Sequence, residues 1–264
     1  MPKHIPTPGF LMIRTFFTLS LISFFPYFLI HADSHVVDYD VNGQTYEGYY
    51  SAETPNAPLV LLLHDWDGLT GYEVIRSDML AAQGYAVFAA DLFGKGIRPT
   101  ENKDKRQHTG ELYQDREKLR SLLQGALDAA KAQGADTEHV VVIGYCFGGA
   151  AALEVARAGM PVKGVVTFHG GLGTPEGQNY EQTEAKLLIF HGSADSHISL
   201  DDFTQLGKEL EAAKVSHEMI TYGGAPHSFT LLDTDAYTKE ADNHSWTRLL
   251  TFLTETLTPA ENSN

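Results

Sequence analysis

One cysteine in 264 residues, at position 146, leaves this chain unable to form an internal disulfide. A disulfide-stapled scaffold or a Cys-x-x-Cys pair needs at least two, so both classes are excluded. Basic residues are scarce as well. Nineteen Lys and Arg stand against 34 Asp and Glu, a formal charge of −15, and no Lys/Arg cluster is available to follow a phosphate backbone. Nucleic acid and anionic lipid are therefore excluded as partners, and a small molecule is expected. No His-Glu-x-x-His or comparable ligand spacing occurs, and there are no internal repeats, low-complexity stretches or linkers. The sequence thus calls for no metal, no cofactor and no second domain, and a monomer is the expected state.

Long apolar runs are absent but for one. Phe16 to Ile30 carries no charge, follows Lys3 and Arg14, and leads into His31-Ala32-Asp33-Ser34. It is shorter than the roughly 20 residues of a membrane span and is interrupted by Pro26. Residues 1–34 read as a signal peptide cleaved after Ala32 or Ser34, with an uncleaved anchor as the alternative, and the protein is expected to be secreted or periplasmic. In an oxidising compartment a lone cysteine is either an intermolecular half-cystine or a free thiol kept for its reactivity.

What remains, residues 35–258, alternates strand and helix signals; 259–264 read as a disordered tail. Asn42-Gly43 between two alternating segments signals a type I′ hairpin at a sheet edge. Continuous aliphatic runs such as Leu59–Leu63 and Val140–Ile143 suit strands covered on both faces. Helices are expected near 72–83, 111–133, 150–158, 200–214 and 241–256, with 95–110 as a long loop. This is the pattern of an α/β fold, a doubly wound and mostly parallel sheet with helices on both faces and its site at the carboxyl ends of the strands.

Gly144-Tyr145-Cys146-Phe147-Gly148-Gly149 lies between such a strand and a helix of small residues, the context of a nucleophile elbow with a thiol in place of the usual hydroxyl. A thiol that attacks needs a base and a carboxylate to orient it, in the chain order nucleophile, acid, histidine. Asp195, just past a strand end, and His227, in a glycine-rich loop after the next strand, occupy those places. Alone, Asp195 reads as a turn or N-cap residue and His227 as a surface histidine; together with Cys146 they read as a triad. The histidine and carboxylate are expected to lower the thiol pKa from about 8.5. His64, His169 and His191, at strand ends, read as hydrogen-bonded scaffold.

The elbow, His191-Gly-Ser-Ala-Asp195 and Gly224-Ala-Pro-His-Ser-Phe229 together resemble the dienelactone hydrolase family over about Val60 to Leu253. The resemblance implies an α/β-hydrolase fold without a large lid. It also implies hydrolysis of esters or lactones through a thioester, with Cys146 as nucleophile, His227 as base and then acid, and Asp195 as its orienter. It places oxyanion-hole amides at Phe147 and Trp66, although Trp66 also suits a simple core cap. Two departures accompany it. Asp65 stands where dienelactone-active members have glutamate. Lys95 and Leu231 stand at the positions matched to two carboxylate-binding arginines, so dienelactone itself is not the expected substrate. Thioesterase, amidase or transacylase chemistry would use the same triad, and a ligand-binding or redox-sensing thiol protein is the alternative outside catalysis.

Overall fold

Asn42 and Gly43, both at positive φ (51° and 80°), turn the chain back on itself and pair strand β1 (Asp33–Val41) antiparallel with β2 (Gln44–Ala52). A two-residue turn of this hand matches the twist of the strands it joins, and that is why Asn-Gly marks it. The structure is a computed structural model describing residues 33–257 together with Met1 and Lys3. Most of the expected leader (residue 2 and residues 4–32) and the 259–264 tail lie outside the described residues, while Asp33 and Ser34 belong to β1.

From the hairpin the sheet continues as β3 (Pro58–Leu63), β4 (Ala86–Ala90), β5 (Asp136–Tyr145), β6 (Gly164–Phe168), β7 (Lys186–Gly192) and β8 (His217–Tyr222). The spatial order is β1-β2-β4-β3-β5-β6-β7-β8; β2 runs antiparallel to β4, and all later pairs are parallel. The aliphatic run in β3 is explained by its two faces. Leu59, Leu61 and Leu63 enter one core, while Val60 and Leu62 enter the other, and all five are fully buried. On the first face Leu119 and Leu123 of α3 (Arg116–Ala132), Ala151 of α4 (Phe147–Arg157) and Leu206 of α5 (Leu200–Ala213) close the core. On the second, Leu80 of α1 (Gly71–Ala81) and Leu249 of α6 (Lys239–Leu257) do so.

The expected loop at 95–110 is in part helix. Residues Asn102–Gln114 form α2, and the single helix expected over 111–133 is two, broken at Asp115. The break has a physical cause: Asp115 adopts φ −110°, ψ 83°, and its side chain accepts the N–H of Lys118 as the N-cap of α3. α2 shows little apolar periodicity because only Thr109 and Leu112 are buried along it.

Candidate active site

Cys146 sits between β5 and α4 at φ 48°, ψ −108°, a conformation that L residues rarely hold. Hydrogen bonds from Cys146 N–H to Phe168 C=O (3.0 Å) and from Ala150 N–H to Cys146 C=O (3.2 Å) keep it there. The turn is tight enough that a Cβ at position 144 would lie 2.0 Å from the Gly148 carbonyl oxygen, and one at 148 would lie 2.3 Å from the Leu63 carbonyl oxygen. The elbow glycines are therefore required by close approach of backbone to backbone.

The sheet brings the three separated residues together. His227 Nε2 is 3.2 Å from Cys146 Sγ, and His227 Nδ1 is 2.7 Å from Asp195 Oδ2. Asp195 Oδ1 also accepts the N–H groups of His197 (2.8 Å) and Ile198 (2.9 Å). Burial works against the Asp195 charge, yet the bonds from His227, Ile198 and His197 outweigh it and hold the carboxyl below its usual range. An anchored carboxylate of this kind fixes the imidazole's orientation and stabilises its protonated form.

The strand-end histidines frame the site. His64 accepts the Leu92 N–H through Nε2 (3.1 Å), so its proton resides on Nδ1, which donates to the Asp65 carbonyl (2.6 Å). His191 Nε2 lies 2.9 Å from the Ile198 carbonyl, which ties down the loop that carries Asp195. His169 Nε2 pairs with Thr230 Oγ1 at 2.9 Å, and its ring packs edge-on against His227 with centroids 5.3 Å apart. Burial, reinforced by His227, pushes the His169 pKa well down, so a neutral ring backs the His227 imidazole.

The thiol departs from expectation. Its pKa is raised, not lowered: burial is the main cause, and the Asp65 carboxylate adds to it, against a weaker opposing effect of the Phe147 N–H. Asp65, one methylene shorter than glutamate, still acts directly on the sulfur. Burial pushes the Asp65 carboxyl itself up to about 6. Burial and the Asp65 carboxylate thus both oppose ionisation of the sulfur that faces the His227 imidazole.

A cavity of about 350 Å³ opens over the sulfur, walled by Trp66, Ile198 and Ala236 and by Tyr113, His197 and Ser228, with Gly171 on its border. Trp66 is in the wall, and its backbone N–H donates to Asp65 Oδ1 at 2.5 Å. Lys95 is elsewhere: its ammonium pairs with Asp38 on exposed β1. Leu231 does not line the cavity either. Two cations lie against the wall residues: Lys105 of α2, 3.5 Å from Asp67 Oδ2 and 5.0 Å above the Trp66 ring, and Arg116, 5.1 Å over the Tyr113 ring and 3.7 Å from Glu154 Oε2. Lys105 is hidden by the reading of 95–110 as loop, whereas Tyr113 falls inside the helix expected over 111–133 with no signal along the chain to tie it to the site.

A mostly parallel sheet with Cys146 at a sharp strand-to-helix turn, and Asp195 and His227 following in chain order at later strand carboxyl ends, has the architecture of an α/β-hydrolase. The sequence profile of the dienelactone hydrolase family matches residues 47–257, and the chain belongs to that family. It is 28% identical over 225 residues to the carboxymethylenebutenolidase of Pseudomonas putida, covering 80% of this chain and 93% of that one. A dienelactone hydrolase-like promiscuous phosphotriesterase from metagenomic libraries superposes with a TM-score of 0.81 at 30% identity, over 86% of this chain and 99% of that one. The dienelactone hydrolase of Anabaena variabilis, at 19% identity, shares the fold with a TM-score of 0.62, over 86% and 99%.

Proposed function

We propose that the protein hydrolyses ester or lactone bonds of small molecules through a thioester on Cys146. The observation that carries this reading is the continuous relay Cys146 Sγ, His227, Asp195, at 3.2 and 2.7 Å, opening into a cavity of ligand size. His227 Nε2 takes the thiol proton as sulfur attacks the carbonyl carbon. The tetrahedral intermediate places its oxyanion toward the Phe147 N–H at the start of α4, with the Trp66 N–H joining when Asp65 gives it up. Collapse breaks the C–O bond, and the departing oxygen takes the proton from His227. Water, deprotonated by the same imidazole, then attacks the thioester, releasing the acid and restoring the thiol. A buried thiol is suited to this route, because proton transfer and attack occur together and no free thiolate is exposed to oxidants between turnovers.

The test is Cys146→Ala. Turnover of an activated ester should fall at least about 1,000-fold, as for deletion of a triad member, and acid-quenched wild type should carry the acyl mass on Cys146. Retained hydrolysis in purified Cys146→Ala would remove the thiol from the mechanism. In Asp195→Asn the activity should fall by about 10⁴, with the imidazole held in the wrong tautomer.

The leader reading places this chemistry outside the cytoplasm. Ser34 already belongs to β1, its hydroxyl 2.8 Å from Ser51 Oγ, so cleavage after Ala32 spares the strand whereas cleavage after Ser34 would cut into it. Intact mass of exported material should begin at Asp33.

A further inference from the structure

Two polar rings in the cavity wall, Tyr113 and His197, have no hydrogen-bond partner for hydroxyl or ring nitrogen among the described residues. This separates them from His64 and His191, whose two ring nitrogens are both engaged by the scaffold. Beside the Cys146–His227 pair and the Ser228 hydroxyl, the rest of the wall is apolar, made by Trp66, Ile198 and Ala236. A purely hydrocarbon ligand filling this space would strip water from both groups and return nothing, and a site with such groups discriminates against analogues that lack a matching oxygen.

Their anchoring tells which half of a substrate each one meets. Tyr113 packs edge-to-face on Phe147 at 5.4 Å, the residue whose N–H receives the carbonyl oxygen, and its hydroxyl would lie 3.7 Å from a Cβ at Gly171. His197 packs edge-on against His227 at 5.0 Å, the imidazole that must sit beside the departing oxygen to protonate it. Tyr113 therefore borders the acyl half, and His197 the alcohol half. Burial, with the nearby Cys146 and Asp65, raises the Tyr113 pKa, so its hydroxyl stays protonated as a donor.

We propose that the site takes esters or lactones bearing a second hydrogen-bonding oxygen, with Tyr113 donating to one on the acyl side and His197 bonding one on the alcohol side. This rests on the hydrolase reading above. Both are specificity residues: each touches substrate, and neither takes part in bond cleavage.

The test uses two matched pairs. Methoxyacetate and butanoate esters of 4-nitrophenol differ by one oxygen in the acyl chain; 2-hydroxyethyl and propyl esters of one acid differ by one in the alcohol. Tyr113→Phe and His197→Phe keep the ring contacts with Phe147 and His227. Tyr113→Phe should lower the methoxyacetate-to-butanoate ratio of kcat/KM by about 2- to 10-fold relative to wild type, the effect of one neutral hydrogen bond, and His197→Phe the hydroxyethyl-to-propyl ratio by a similar factor. Comparing ratios between proteins cancels the esters' intrinsic reactivity. Protection of Cys146 from iodoacetamide by the same compounds gives a binding readout that needs no turnover. If no ester turns over but the protection ratios shift as described, hydrolysis falls and the pocket assignment stands. If both ratios are unmoved by the substitutions, the assignment is overturned.

Discussion

Asp65 holds the backbone N–H of Trp66 on its Oδ1 at 2.5 Å, while its Oδ2 is buried with no partner beside the Cys146 thiol. One carboxylate thereby engages an amide expected in the oxyanion hole and also opposes ionisation of the Cys146 thiol. Glu73 of α1 extends the arrangement. Its Oε1 accepts the Asp65 N–H at 3.4 Å, its Oε2 accepts the Thr70 N–H and hydroxyl as the capping box of α1, and burial pushes its carboxyl up to about 7. Two carboxyls thus lie under the site in surroundings that disfavour their charge.

The first consequence concerns the thiol. An anion beside Cys146 raises its pKa, so Asp65→Asn, which keeps an oxygen for the Trp66 N–H, should lower it. Alkylation by iodoacetamide at pH 7 should then be faster than in wild type, by about tenfold for each unit the pKa falls. Following alkylation rate against pH in both proteins checks this. An unchanged or slower reaction in the variant would mean that Asp65 does not control the sulfur.

The same substitution makes a statement about stability. The Asp65 carboxyl is raised to about 6 from its ordinary value of 3.8, so the folded state binds its proton more tightly than the unfolded chain. Its favourable contribution is complete below about pH 4 and is lost as pH rises through 6; at pH 8 the buried charge costs at most about 3 kcal/mol. Asp65→Asn should therefore raise Tm by several degrees at pH 8, with the gain about halved at pH 5 and nearly gone by pH 4. Thermal melts at the three pH values decide it: a gain that grows toward acid would reverse the sign of the argument.

Particular residues show why part of this was legible in the sequence. Leu59–Leu63 and Val140–Ile143 are continuous because both sheet faces are covered, and that pattern survives in one dimension. Cys146, Asp195 and His227 each follow a strand, so a parallel sheet brings them to one edge whatever the loop details. The place of Lys95 and the direction of the thiol shift depend on what the chain does between elements. The turn after β4 carries Lys95 out to Asp38, while α2, too polar to show a periodicity, delivers Lys105 and Tyr113 instead. The burial of Asp65 beside the sulfur is a property of packing across β3, α1 and the elbow, and has no signature along the chain.

Two glycines near the sulfur should respond oppositely to the same added methyl. At Gly148 a Cβ would meet backbone, 2.3 Å from Leu63 O and 2.6 Å from His64 O, so Gly148→Ala should disrupt the elbow, with loss of soluble protein or of all activity. At Gly171 it would rest 3.4 Å from Ala150 Cβ and 3.7 Å from the Tyr113 hydroxyl, ordinary contact distances. Gly171→Ala should fold with an unchanged Tm, but raise KM for bulky acyl groups more than for acetate. Expression, melting and a short acyl-chain series separate the two cases, and equal tolerance at both sites would contradict the elbow geometry.

Charge discrimination follows from the cations the site lacks. Lys95 is bound to Asp38 away from the cavity, Leu231 supplies no charge and does not line it, and Lys105 over Trp66 and Arg116 over Tyr113 are already shared with Asp67 and Glu154. A substrate carboxylate entering here would leave water without a dedicated counter-charge and approach Asp65, ionised for the most part above pH 7. A lost charge-assisted hydrogen bond corresponds to roughly 10- to 100-fold in specificity. At pH 8 a neutral ester should therefore be preferred over the hemisuccinate ester of the same alcohol by about that factor in kcat/KM, with the gap narrowing in Asp65→Asn as the repelling charge is removed. A wild-type preference for the hemisuccinate would show that Lys105 leaves Asp67 to bind it, and Lys105→Met would then abolish that preference.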